Sequence, residues 1–359
     1  MKNQLYIILI SMLSATLVTN AQDSKPKPKT NAPVTKTAEW RKNYDEVGAF
    51  FEGLARVRKD NKFGFVDNTG KVVIPIIYVY AADFSEGLAT VDRTWAEKSG
   101  YIDKTGKVVI PFIYDKTWSF SDGLAKVKIN DKIGFINKVG EEVIPITFNI
   151  TAISDYSEGL VLVNDNNKYG YYDNKGKLLI PLIYDYGLRF SEGLAAVKKN
   201  GKWGYIDKTG KVTIKFTYNT AYWFSEGLAG VKIENKFGFI DKLGNMKIPA
   251  IYDDVQSFTE GVAAVKSYSK WDFIDKTGKV VIPLIYSCVF SFSEGLARVE
   301  KNGKYGFIDK KGKVVIPLIY DFANDFHFSS IAGVITAGVE KDGKHFSINK
   351  KGVCVYNCP

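Results

Sequence analysis

The sequence predicts an all-β protein: about nine tandem units, each a three-stranded antiparallel β meander, stacked as an open superhelical solenoid. Three observations carry this. A glycine recurs at Gly53, Gly87, Gly123, Gly159, Gly193, Gly227, Gly261 and Gly295, always 34 or 36 residues apart. An Ile-Pro pair recurs with it, its proline at Pro75, Pro111, Pro145, Pro181, Pro249, Pro283 and Pro317, with Lys215 in the remaining place. An aromatic follows that place by three residues every time, at Tyr78, Tyr114, Phe148, Tyr184, Tyr218, Tyr252, Tyr286 and Tyr320. With Tyr44 in front, nine such rings open nine units. A fixed period of this size marks a solenoid, a propeller or an array.

The strands follow in order within each unit. Ala195 and Val197 lie two apart and share one face of the first strand. The residue between them varies freely (Arg56, Thr90, Lys126, Leu162, Ala196, Gly230, Ala264, Arg298), as a less constrained face would. Asn200-Gly201 and Asn302-Gly303 are type I′ hairpin signals, since both central residues need positive φ. Trp203-Gly204-Tyr205-Ile206-Asp207 is the second strand, with aromatics on one face and small or aliphatic residues on the other. Asp207-Lys208-Thr209-Gly210 makes another tight turn. The third strand, as at Lys313–Ile316, is apolar on both faces; Pro317 closes it and belongs at a sheet edge. A small sheet with two apolar faces needs cover from copies of itself. The aromatics therefore read as inter-unit core, with a sugar-stacking ladder as the functional alternative.

Lys202-Trp203-Gly204, inside F-S-E-G-L-A and K-W-G-Y-I-D-K-T-G-K-V, resembles the WG-repeat (KWG-repeat) family of bacterial proteins over residues 44–352. The resemblance implies a β-rich repeat and an interaction role, with no shared enzymatic activity. The Trp position is held by Phe63, Ser99, Ile133, Tyr169, Phe237, Trp271 or Tyr305, as a packing site would allow. Its glycine becomes Asp272 in the seventh unit, and extra residues fall around Trp95–Ser99 and Ile150–Asp155. The ninth unit diverges into His345-Phe346-Ser347-Ile348-Asn349, as a capping repeat does. Nine units exceed the usual four to eight propeller blades. That count favours the open solenoid, with a closed propeller-like ring as the alternative.

Ahead of the repeats, Met1-Lys2 and the apolar run Leu5–Val18 read as a signal peptide over residues 1–21, with Thr19 and Ala21 suiting the peptidase. That run is shorter than the roughly 18–20 residues a spanning helix needs. Residues 22–43 read as a Lys/Pro-rich linker and 44–359 as the repeat domain. The expected protein is exported to the periplasm, cell surface or medium, with no transmembrane segment after cleavage. The formal charge of +10 comes from lysines interleaved with acids, a solubilising surface and no nucleic-acid site.

No G-x-S-x-G elbow, H-E-x-x-H helix, Walker loop or G-x-G-x-x-G turn is present. Acids recur in register: Glu52, Glu86, Asp122, Glu158, Glu192, Glu226, Glu260 and Glu294, plus Asp67, Asp103, Asp173, Asp207, Asp241, Asp275 and Asp309. Catalysis by two carboxylates wants one distinguished pair, so equivalent copies point to turn bonds or Glu–Lys ladders. Lysines such as Lys208 beside the turn acids oppose calcium. Cys354 and Cys358 allow a short disulfide only if Asn357 or its neighbours turn. A zinc set from His327, His345, Cys354 and Cys358 matches no common spacing, and Cys288 reads as a buried thiol. No catalytic residue, cofactor or metal ligand is assigned. The expected function is a non-enzymatic scaffold for another envelope or extracellular protein. The alternative is a carbohydrate or cell-wall binding module, for which Trp203 and Trp271 must be partly exposed. A hydrolase on a propeller-like frame is the third class.

Overall fold

A short strand that the periodicity hides completes most units. In the computed structural model, which describes residues 39–94, 98–149, 156–268, 270–283, 286–329 and 334–358, the fifth sheet runs Tyr186–Gly187, Leu194–Lys199, Lys202–Asp207, Val212–Tyr218 in chain order. The first of these has two residues, pairing with Lys198 and Val197, too few to show an alternation. The expected three-stranded unit is therefore a four-stranded antiparallel meander.

Among the described residues there are nine such sheets, eight with at least four strands and one with three. Together they form a nine-bladed β-propeller. This corrects the expected superhelical solenoid in favour of the ring-type alternative. The correction has a physical reason: the rotation between successive sheets is set by the packing of their faces, which no repeat spacing encodes.

The hairpins follow the sequence. Asn200 and Gly201 have φ of 49° and 78°, as a type I′ turn requires. The last strand of the meander lies at the sheet edge, where its proline belongs, but Pro75, Pro111, Pro145, Pro181, Pro249 and Pro317 lie within their strands and do not end them. Trp203 pairs with Tyr218 and Tyr205 with Ile214, so residues 215–217 bulge opposite Gly204 alone. This bulge is why the motif needs glycine. A Cβ on Gly204 would stand 2.6 Å from the Ile214 carbonyl oxygen, and the equivalent glycines are as tight. In the seventh blade Asp272 takes this place, between Phe273, which pairs with Ile282, and Trp271.

The core lies between blades. Leu194, Tyr205, Ile214 and Tyr218 of the fifth blade close on Ala221, Phe224, Val231 and Ile240 of the sixth. Each such side chain contributes about 1.5–3 kcal/mol on full burial. The freely varying position is not on a loose face: Thr90, Ala196, Ala264 and Arg298 are buried. It meets the short strand of the following blade, and the two sides match in size. Leu162 lies against Gly187, Gly230 against Val255, and the Arg56 guanidinium donates to the Ala81 carbonyl at 2.8 Å. Variation there reflects a separate fit at each junction.

The expected signal peptide, residues 1–21, and residues 22–38 of the expected linker lie outside the described residues, as do 95–97 and 150–155 of the two insertions. The linker's last five residues are not extended: Glu39–Asn43 is a 3-10 helix. Its Trp40, with Tyr44, Val47 and Phe50, packs on Ala55, Val57 and Val66 of the first blade. Among the described residues, packing against the first blade begins at Trp40.

Candidate interaction surface

The repeating acids are engaged in holding blades together. Glu192 sits in a tight turn at φ 54°, a conformation side chains rarely adopt. Its carboxylate accepts the Gly227 amide of the next blade at 3.0 Å and pairs with Lys242 at 3.1 Å. Glu52, Glu86, Glu158, Glu226 and Glu260 make the same pair of contacts with Gly87 and Lys104, Gly123 and Lys138, Gly193 and Lys208, Gly261 and Lys276, and Gly295 and Lys310. Burial acts to raise the Glu86 carboxyl, but Lys138 and the Gly123 amide outweigh it and leave it below its ordinary value. The neighbouring serines add a second tie. Ser191 Oγ donates to the Phe224 carbonyl at 2.7 Å, and Ser85, Ser157, Ser225 and Ser293 repeat this.

The hairpin acids close their own turns. Asp207 Oδ1 accepts the Thr209 hydroxyl at 2.6 Å and the amides of Thr209 and Lys211 at 2.9 and 3.1 Å. Those bonds hold its carboxyl below the usual range, the hydroxyl contributing most. Asn137 and Asn349 accept equivalent amides in the third and ninth blades. A neutral oxygen therefore fills the role. The job is structural.

The C-terminal residues do not assemble the zinc set. Cys354 and Cys358 are bonded to each other across a Cα separation of 5.7 Å, with Asn357 turning the chain at φ 51°. His345 lies 3.7 Å from Glu340, and His327 Nδ1 lies 3.1 Å from the Asp325 carbonyl. Among the described residues no group of three or more His, Cys, Asp or Glu could hold a metal ion. Cys288 is half-buried, and burial pushes its thiol up.

The aromatic positions divide. Tyr205 is fully buried and its hydroxyl donates to the Tyr222 carbonyl at 2.8 Å, whereas Trp203 and Trp271 are only partly buried. What the sequence reading missed is the edge. The last strands expose Val72, Ile77, Ile113, Leu179, Ile183, Ile251 and Ile319, with Ile77 at 53% and Ile251 at 58%. The V-V-I-P-x-I spelling held the signal, because alternate side chains of an edge strand cannot all turn inward. Among the described residues, no helix is long and apolar enough to cross a membrane.

Nine small antiparallel blades among the described residues, most of them four-stranded, tied turn to turn and apolar along their edges, define a β-propeller repeat protein. The model of the WG containing repeat matches at residues 42–63, 63–92, 100–132, 133–169, 169–203, 203–237, 237–271, 273–305 and 305–344, and the chain belongs to that family. Comparison with curated proteins finds no match. Solved structures with some likeness include a eukaryotic initiation factor (12% identity, 76% of this chain, 86% of that chain, TM-score 0.45). Another is PorZ, a surface component of the type-IX secretion system of Porphyromonas gingivalis (9%, 88%, 52%, 0.30). BamB from Moraxella catarrhalis is a third (10%, 75%, 89%, 0.34).

Proposed function

We propose that this chain is an exported, non-catalytic scaffold that binds another envelope or extracellular protein along the edge strands of its blades. The observation that carries the reading is the exposed apolar row on those strands, repeated from blade to blade. Such rows mark interaction sites when they recur on one molecule. Pro75, Pro111, Pro181 and Pro317 remove a backbone donor from the same edges. A partner therefore meets side chains and does not add a strand. Supporting the non-catalytic part, Glu52, Glu86, Glu158, Glu192, Glu226 and Glu260 are engaged in equivalent blade ties, and Asp207 and its counterparts in turn bonds.

The test is affinity capture with mature residues 22–359 from an envelope extract, alongside a triple variant Ile77→Lys, Ile183→Lys, Ile319→Lys. A protein enriched by the parent and lost from the variant supports the reading. Equal recovery by both removes it. Export has its own measurement: protein recovered from the envelope or medium should begin at Gln22, and a protein beginning at Met1 contradicts it.

A further inference from the structure

In a repeat protein, a feature found at one junction only stands out against its copies. Three positions converge where one blade follows another: the motif-Trp position of the earlier blade, the first residue of the short strand, and the motif-Trp position of the later blade. At the fourth-to-fifth junction these are Tyr169, Tyr186 and Trp203. Their rings touch in sequence, with centroids 4.8 Å apart between Tyr169 and Tyr186 and 5.6 Å between Tyr186 and Trp203. Tyr186, in the middle, is 44% exposed.

The other junctions break the row. Ser99 interrupts it after Phe63 and Tyr80, Thr220 after Trp203, Asp254 after Phe237, and Cys288 after Trp271. The ninth blade comes nearest, with Tyr305 and Phe322 at 6.1 Å, but ends in His345.

Lys168 Nζ pairs with Asp185 Oδ1 at 2.8 Å, a tie that Lys98 and Asp115, Lys236 and Asp253, and Lys304 and Asp321 repeat, so that pair is not particular to the row. The Asn164 side chain hydrogen-bonds the Tyr169 hydroxyl. Hence a row of touching rings, their planes inclined by 40° and 60°, is bordered by its own phenol hydroxyls and an amide. A pyranose ring has the complementary shape: an apolar C–H face that lies on aromatic rings, and a rim of hydroxyls that bond to phenol and amide groups. A hydrocarbon chain would leave the polar border unanswered.

We propose that Tyr169, Tyr186 and Trp203 form a polysaccharide-binding site, with the tyrosine hydroxyls and Asn164 reading the sugar hydroxyls. This site is separate from the edge strands and does not depend on the scaffold reading. A glycan would give the protein a hold on the envelope while the edges engage a protein.

The experiment is native affinity electrophoresis of residues 22–359 in gels containing soluble xylan, laminarin or hydroxyethylcellulose. At least one polymer should retard the protein, and Tyr186→Ala should weaken that retardation about five- to tenfold. Tyr80→Ala, at the matching exposed place of the second blade, should leave it unchanged. Trp203 also packs on the sixth blade, so Trp203→Phe is the folding-safe variant there, read by loss of polymer-induced fluorescence quenching. The proposal is overturned if none of the three polymers retards the protein, if Tyr186→Ala binds like the parent, or if Tyr80→Ala loses as much. Protein capture by Tyr186→Ala should be intact, which keeps this outcome distinct from failure of the scaffold.

Discussion

Trp40 fills against Gly70 the seat that Ile74 fills against Gly106 in the next blade. It stands four residues before Tyr44, as Ile74 stands four before Tyr78. A Cβ on Gly70 would lie 2.3 Å from the Trp40 ring, and one on Gly106 would lie 3.5 Å from Ile74. Blade 1 thus carries a vestige of a preceding unit. At the other end Tyr356, in the place of Ile316, is 42% exposed.

Trp40→Ala should therefore destabilise the first blade. Removing a large packed aromatic from this seat is expected to lower stability by about 2–4 kcal/mol. Urea denaturation checks this, and hydrogen exchange should place the first loss of protection in residues 46–78. Deleting residues 22–38 should leave the midpoint unchanged.

The motif glycine predicts an asymmetric pair of substitutions. Gly204→Ala forces a Cβ onto the Ile214 carbonyl and should cost about 2–4 kcal/mol, since backbone must move. Asp272→Gly should do the reverse at the seventh blade. There removing the side chain from beneath the bulged edge is expected to raise the urea midpoint. An unchanged or lower midpoint would remove the bulge as the reason for glycine.

Acid sensitivity should come from the hairpin acids. The Asp67, Asp103, Asp207 and Asp275 carboxyls lie below their ordinary value, chiefly through threonine hydroxyl bonds. A lowered folded value means the turns stabilise the fold fully above the unfolded carboxyl value, about 3.9. That contribution is lost as pH falls through the lower folded value. Urea midpoints should hold from pH 7 to about 5 and drop below about 4. Asp207→Asn should fold at pH 7, as Asn137 and Asn349 show, and should flatten part of that acid slope.

The junction fit predicts coupling. A Cβ on Gly187 would meet Leu162 Cδ1 at 2.9 Å and the Tyr171 hydroxyl at 3.0 Å. Gly187→Ala and Leu162→Ala should each destabilise, while the double variant should recover about 0.5–3 kcal/mol of the sum. Strict additivity in thermal or urea melts would refute size matching between these blades.

Much of this architecture can be read from the chain, and the unread part has a common cause. Asn200-Gly201 announces its turn because φ is a local property. Val197 and Tyr205 announce burial because alternation is local too. The two-residue strand at Tyr186–Gly187 does not, since only its partners Lys198 and Val197 make it a strand. The buried state of Arg298 or Ala196 was equally hidden, because variability looked like freedom until the facing residues Ala323 and Ala221 were in view.

The amino-acid order alone determined the repeat length, the hairpins, the edge position of the proline and the family, because each is written within one unit of about 35 residues. Tertiary structure decided the propeller, the carboxylate ties and the run of rings at Tyr169, Tyr186 and Trp203. These depend on how one unit turns against the next, an angle fixed by many weak contacts summed over two faces. No contiguous stretch of chain carries that sum.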